Sequence, residues 1–260
     1  IGIGYAALGA STTGCYNIAI GSDSMQVGVT TGINNIAMGA NSACLLTSGN
    51  CNIAIGMNAL RISTTGCDNV AVGQDAMGTG VVTGWRNTAI GLGALCNQTS
   101  GSYNLAIGNK ALGASTTGGN NLALGYFAMG SGVVTADDNV VMGQLAGRYI
   151  TSGHSNVAIG RDSFCCATTG CRNIAIGHTA LGAGIVVGCN NIAMGSSAGD
   201  AITSGCYNVA IGGDALGATS TGRWNIALGW RAGCGNQGGH NNISIGCESG
   251  TSNTLSLIHI

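Results

Sequence analysis

One phrase recurs along the whole chain: Asn, an aliphatic residue, Ala, an aliphatic residue, Gly. It stands as NIAIG at Asn17, NIAMG at Asn35, NIAIG at Asn52 and NVAVG at Asn69. It returns at Asn87, Asn104, Asn121, Asn139, Asn156, Asn173, Asn191, Asn208, Asn225 and Asn242, and the opening IGIG fits the same frame. The thirteen intervals run 18, 17, 17 four times over and then 17, so a 52-residue unit of three turns also repeats. Self-similarity at so short a fixed period marks a repeat architecture, and it constrains the fold before any propensity is weighed. Residues 1–250 read as a single continuous repeat array.

Each position of the repeat is a strict lane. Counting from Asn as zero, +1 is aliphatic in thirteen of fourteen turns, with Thr88 the exception, and +2 is Ala except at Val141 and Ser244. Position +3 is always Ile, Val, Leu or Met, +4 is always Gly, and +7 is always Ala or Ser. Upstream, −3 is Gly in thirteen turns and −4 is Thr or Ser in twelve. An alternating apolar stretch closed by Gly reads as a short strand and a corner. The Thr-Gly stretch before each Asn is turn chemistry. About seventeen residues leave room for two short strands and two corners per coil. Helix fails as a rival: the lanes ignore a 3.6 period, and each of the 48 glycines would cost about 1 kcal/mol inside a helix. The absence of Pro fits strands that all need their amide hydrogens. The chain is therefore expected to be all-β, a parallel β-solenoid of about fifteen turns of 17–18 residues, forming a rod of roughly 70 Å at about 4.8 Å per turn.

Two lanes carry further expectations. Identical Asn side chains stacked one turn apart can bond their amides into a ladder along the axis, which assigns the fourteen asparagines a structural role. The +1 and +3 side chains share one face of the strand and Ala +2 takes the other. With +1 and +3 filling the interior, a solvent-facing +2 would be polar and variable, yet it stays small and apolar. A strand apolar on both faces is buried on both. The Ala lane thus predicts a second copy packed against it, in a homo-oligomer with a parallel trimer as the natural closed arrangement.

Composition narrows the partners. Charged residues make up 7% of the chain and the net charge is −1, which removes the electrostatic case for nucleic acid or an acidic membrane surface. No apolar run approaches the roughly 20 residues that span a bilayer, so no membrane insertion is expected. Both ends read as cut. After Gly250 the repeat dissolves, residues 251–260 form a tail outside the solenoid, and Leu255 to Ile260 resemble a translated sequencing adapter in a metagenomic fragment.

The NxAIG strand with its following small-residue lane resembles the head repeats of trimeric autotransporter adhesins. The longer form, NIAIG…NALG…TTG…N, resembles the repeats of tail-fibre-type proteins of phages, bacteria and large viruses. The resemblance covers residues 1 to about 250. It implies a left-handed β-roll, a trimer, and an extracellular, cell-surface or virion-tail location. It also implies a structural fibre or adhesin segment that presents an attachment surface to a host glycan or protein.

Catalysis and metal binding find little support. Cys15, Cys67, Cys171, Cys189 and Cys206 occupy −2, a lane that takes Trp85, Ser102, Asp137, His154 or Arg223 elsewhere, and Cys44, Cys96, Cys165 and Cys234 occupy +9. Cys171, Cys189 and Cys206 stack closely enough for one disulfide, but solvent-facing or packed thiols are the expected state. No CxxC pair suggests zinc, His154, His178 and His240 fall on variable lanes, and no cofactor is called for. Hexapeptide acyltransferases use 18-residue coils with aliphatics every six residues, a rule that 17-residue turns break. An ice-binding solenoid is the rival from another class, since Thr12, Thr30, Thr47, Thr64, Thr99, Thr116, Thr151, Thr168 and Thr203 form a ladder at −5. Its paired hydroxyl residues are adjacent, however, and not spaced T-x-T. A recognition surface is expected in the −2 and −1 lanes, which hold Tyr16, Trp85, Arg86, Tyr103, Arg172, Tyr207, Arg223 and Trp224. Aromatic and Arg residues are common anchors for glycans or proteins; otherwise they shield the corner.

Overall fold

The computed structural model describes residues 1–27, 30–219, 221–235 and 238–251. The adapter-like residues Leu255 to Ile260 lie outside the described residues. Among the described residues there is no helix, and the chain is a parallel β-solenoid of about fourteen turns. It divides into two compact units, Ile1–Thr135 and Ala136–Ile260. The first unit opens with β1 (Gly2–Ile3) and continues through seven three-residue strands, from β2 (Ile18–Ile20) to β8 (Leu122–Leu124). The second holds seven strands, from β9 (Val140–Met142) to β15 (Ile243–Ile245).

From β2 on, each strand is the +1 to +3 segment of one repeat, and within each unit it pairs in parallel with the same segment of the next. In the first unit Val70, Ala71 and Val72 face Ile53, Ala54 and Ile55; in the second Ile174, Ala175 and Ile176 face Val157, Ala158 and Ile159. The lanes seen in the sequence are therefore true columns. Their glycines answer two needs. Gly56 at +4 leaves the strand at φ 128°, and a Cβ there would stand 2.6 Å from the Gly73 carbonyl oxygen of the next turn. Gly66 at −3 lies under the following turn, where a Cβ would stand 2.8 Å from the Gly84 carbonyl oxygen.

The second strand expected in each coil is replaced by a turn. Positions +6 and +8 take left-handed backbone, as at Asp75 (φ 55°) and Met77 (φ 49°). This segment still bonds to both neighbouring turns. Asp75 N–H donates back to the Met57 carbonyl at 3.0 Å, while Met77 N–H donates forward to the Ala94 carbonyl at 3.0 Å. Left-handed conformation costs a non-Gly residue roughly 1–2 kcal/mol, and the paired amides offset it.

The interior is the reverse of the expectation. Ala +2 points inward and is 0% exposed at Ala19, Ala71 and Ala175, whereas the +1 and +3 aliphatics face out. The reason is the opposite wall, which brings the +7 and +8 residues close. A Cβ on Gly147 would stand 3.2 Å from Val141, and one on Gly199 3.5 Å from the Ala193 methyl. A coil this narrow admits only a small residue at +2, because Leu60, Met77, Leu112 and Leu181 at +8 fill the remaining space, all fully buried. The Ala lane accordingly gives no reason for a second copy to pack against it.

In several turns the two inward positions exchange volume. Where +8 is small, the next inward residue is large: Ala43 with Leu46, Gly147 with Ile150, Gly199 with Ile202. Where +8 is large, its partner shrinks: Leu60 with Ser63, Leu112 with Ser115, Phe164 with Ala167. Close packing at near-crystalline density requires this kind of exchange. In the 18-residue turns Thr30, Val82, Val134 and Val186 take that inward place, so the Thr-to-Val replacements of the −5 lane mark burial.

Candidate functional site: the corner lanes before each strand

The corner is set by the asparagines. Asn173 N–H donates to Asn156 Oδ1 at 2.9 Å, and its Nδ2 donates to the same oxygen at 3.2 Å. Nδ2 also donates to the Gly188 carbonyl at 2.9 Å, and Oδ1 accepts from Asn191 N–H and Nδ2 at 3.0 and 3.1 Å. Asn52 repeats the pattern against Asn35 and Gly66. All fourteen asparagines are buried, between 0% and 5% exposed, so these bonds form where dielectric screening is weak. Each ties its own strand to the preceding and following turns, and that fixes the −1 and −2 residues immediately upstream.

Position −2 has a recurring role that the sequence did not disclose. Where the −2 residue one turn on carries an acceptor, it can cap this N–H: Ile33 N–H by Asn50 Oδ1 (2.8 Å), Trp85 N–H by Ser102 Oγ (3.0 Å), Arg223 N–H by His240 Nδ1 (3.1 Å). Cysteine does the same. Cys171 N–H donates to Cys189 Sγ at 3.3 Å and Cys189 N–H to Cys206 Sγ at 3.2 Å. Thiols at −2 are thus short corner acceptors, and all twelve cysteines are free in this structure. A separate pair stands at the far side of one turn, where Cys165 and Cys166 Sγ lie 3.2 Å apart. Burial, then the hydrogen bond and charge of Cys166, push the Cys165 thiol up to about 12, so it holds its proton. Among the described residues no group of three or more His, Cys, Asp or Glu is placed to hold a metal ion, and no helix is long and apolar enough to cross a membrane.

Position −1 is left-handed in every turn, which favours Asn, Asp and Ser as at Asn34, Asp68, Asp138, Ser155 and Asn190. Six turns instead place Tyr16 (φ 59°), Arg86 (55°), Tyr103 (61°), Arg172 (56°), Tyr207 (60°) and Trp224 (55°) there. These side chains recover little packing, since Tyr16 is 84% exposed, Tyr207 53% and Trp224 52%. The eight predicted recognition residues fall into two clusters and two outliers. Arg86 lies 5.6 Å over the Tyr103 ring and donates to its hydroxyl at 3.0 Å, beside exposed Trp85. Tyr207 and Trp224 stack at 6.1 Å with 12° between ring planes, next to Arg223. Arg172 lies two turns before Tyr207, and Tyr16 is near the start of the first unit.

Beside Trp224 runs an open groove of about 580 Å³ lined by Ser204, Thr221, Arg223, Trp224, His240 and Asn241. The sequence singled out Arg223 and Trp224 but missed the other four. Lane position could have found them: Ser204 and Thr221 are −4, His240 is −2 and Asn241 is −1 in neighbouring turns. The −5 threonines are engaged with backbone, as Thr47, Thr99 and Thr151 donate to the carbonyls of Thr64, Thr116 and Thr168 at 2.9, 2.8 and 3.1 Å. No protein-family model matches the chain, and no curated protein is significantly similar to it.

Proposed function

We propose that this chain is a structural segment of an extracellular or virion fibre or adhesin. It assembles as a homo-oligomer, with a left-handed trimer as the favoured form, and presents its corner lanes for attachment without catalysis. The observation that carries this reading is the outward aliphatic face. In both units the +1 and +3 columns of Ile, Val, Leu and Met face out, with Met38, Ile107, Met194 and Ile211 each about 40% exposed. At about 4.8 Å per strand and about 10 Å of width, the two columns offer roughly 380 Å² in the first unit and roughly 340 Å² in the second. Each is a sizeable part of the roughly 800 Å² that one partner contributes to a stable interface. Each patch is of the size that, on a soluble protein, often marks an interaction surface. A partner copy carries the same two columns at the same spacing, so copies are the natural cover, and three is the number the adhesin resemblance implies. The threonine ladder favours this reading over ice binding, because its hydroxyls are spent on the backbone of the next turn.

Paired substitution Ile107→Lys and Ile159→Lys tests the assignment, one in each unit and both on the outward face. The coil should still form, with unchanged far-ultraviolet circular dichroism, while sedimentation shows the assembly falling to single chains. An unchanged assembly would remove the face from the interface.

A further inference from the structure

We infer that the groove beside Trp224 is a binding site for a carboxylated sugar, a uronic or sialic acid unit of a glycan. This deepens the attachment reading and rests on it. The groove spans three successive turns, and its six lining residues fall into chemically distinct parts. Trp224 supplies a flat apolar wall; its ring stacks with the Tyr207 ring, and its backbone N–H donates to the Cys206 carbonyl at 3.2 Å. Such a face suits the C–H side of a pyranose ring, which buries apolar area while its hydroxyls stay outward. Ser204 and Thr221 hydroxyls and the Asn241 amide line the same groove and both donate and accept, as sugar hydroxyls require.

Charge selects the class. Arg223 brings a guanidinium whose fork matches a carboxylate, and among the described residues no Asp or Glu lines the groove. His240 Nδ1 accepts from Arg223 N–H at 3.1 Å, which places the proton of the neutral imidazole on Nε2 as a further donor. One guanidinium without a surrounding lysine array is too little for a nucleic-acid backbone. The volume of about 580 Å³ lies within the range of small-ligand pockets. Placing Trp at a left-handed, half-exposed position forfeits stability that Asn would keep, and strain of this kind collects at functional sites.

Titration of the full chain with trigalacturonic acid and with its neutral counterpart galactotriose, followed by calorimetry and by saturation-transfer NMR, tests the site. The acidic trimer should bind and the neutral one bind at least tenfold more weakly. Trp224→Ala should weaken binding at least tenfold. Arg223→Gln should abolish the preference for the acidic sugar. Trp230→Ala, outside the groove, should leave affinity unchanged, and thermal melts should show all variants folded. Equal binding of both sugars, no binding at millimolar concentration, or full affinity in Trp224→Ala would overturn the proposal. The assembly mass is read separately. Sugar binding by a single chain would sink the fibre reading and leave this site standing, and a trimer that ignores both sugars would do the reverse.

Discussion

Asn173 shows how much one side chain carries here. Its amide makes four hydrogen bonds, one to the preceding turn and three to the following one, all in a buried column. Asn173→Ala would leave Asn191 N–H and the Gly188 carbonyl without their partners, at about 1–3 kcal/mol for each orphaned group. The expected outcome is a loss of about 3–5 kcal/mol in denaturant unfolding; a loss below about 1 kcal/mol would show that water replaces the amide. Invariant spacing made the asparagine ladder legible in the sequence, because a column of identical amides has one natural partner, its own neighbour. The −2 lane was not legible. Cys189, Ser102, His240 and Asn50 look unrelated until their common task, capping the N–H one turn back, is seen.

At the scale of one turn, the strand and its partners were predictable and the inside was not. Alternation places Val70 and Val72 opposite Ala71, yet it does not say which side is interior. Bulk argues for the valines, and the far wall decides otherwise. Met77 reaches across from a left-handed turn that strand and helix periodicities do not describe, and it leaves room only for a methyl. The same constraint explains the exchange of volume between Gly147 and Ile150 or between Leu60 and Ser63. Gln98 breaks the pattern, since it is fully buried and its Oε1 and Nε2 have no hydrogen-bond partner in the structure. Gln98→Met keeps the length and removes the unpaired amide, so it should raise stability by about 1–2 kcal/mol. A lower melting temperature would mean that the amide is bonded after all.

For the molecule, stability comes from stacking. A turn buries one large aliphatic and a few methyls, worth a few kcal/mol, while ordering about seventeen residues costs more than that. Neighbouring turns must supply the difference through the asparagine column, the strand pairs and the crossed amides of the turn. The same repetition that stacks the interior also lays the +1 and +3 aliphatics in outward columns, and the proposed assembly rests on that inverted packing. The most direct test is the mass of the full chain in solution, by light scattering across an eluting peak. Three chains of 25.5 kDa in one particle is the predicted result. A stable, soluble species at the mass of a single chain would contradict the assignment of the aliphatic face as an interface between copies.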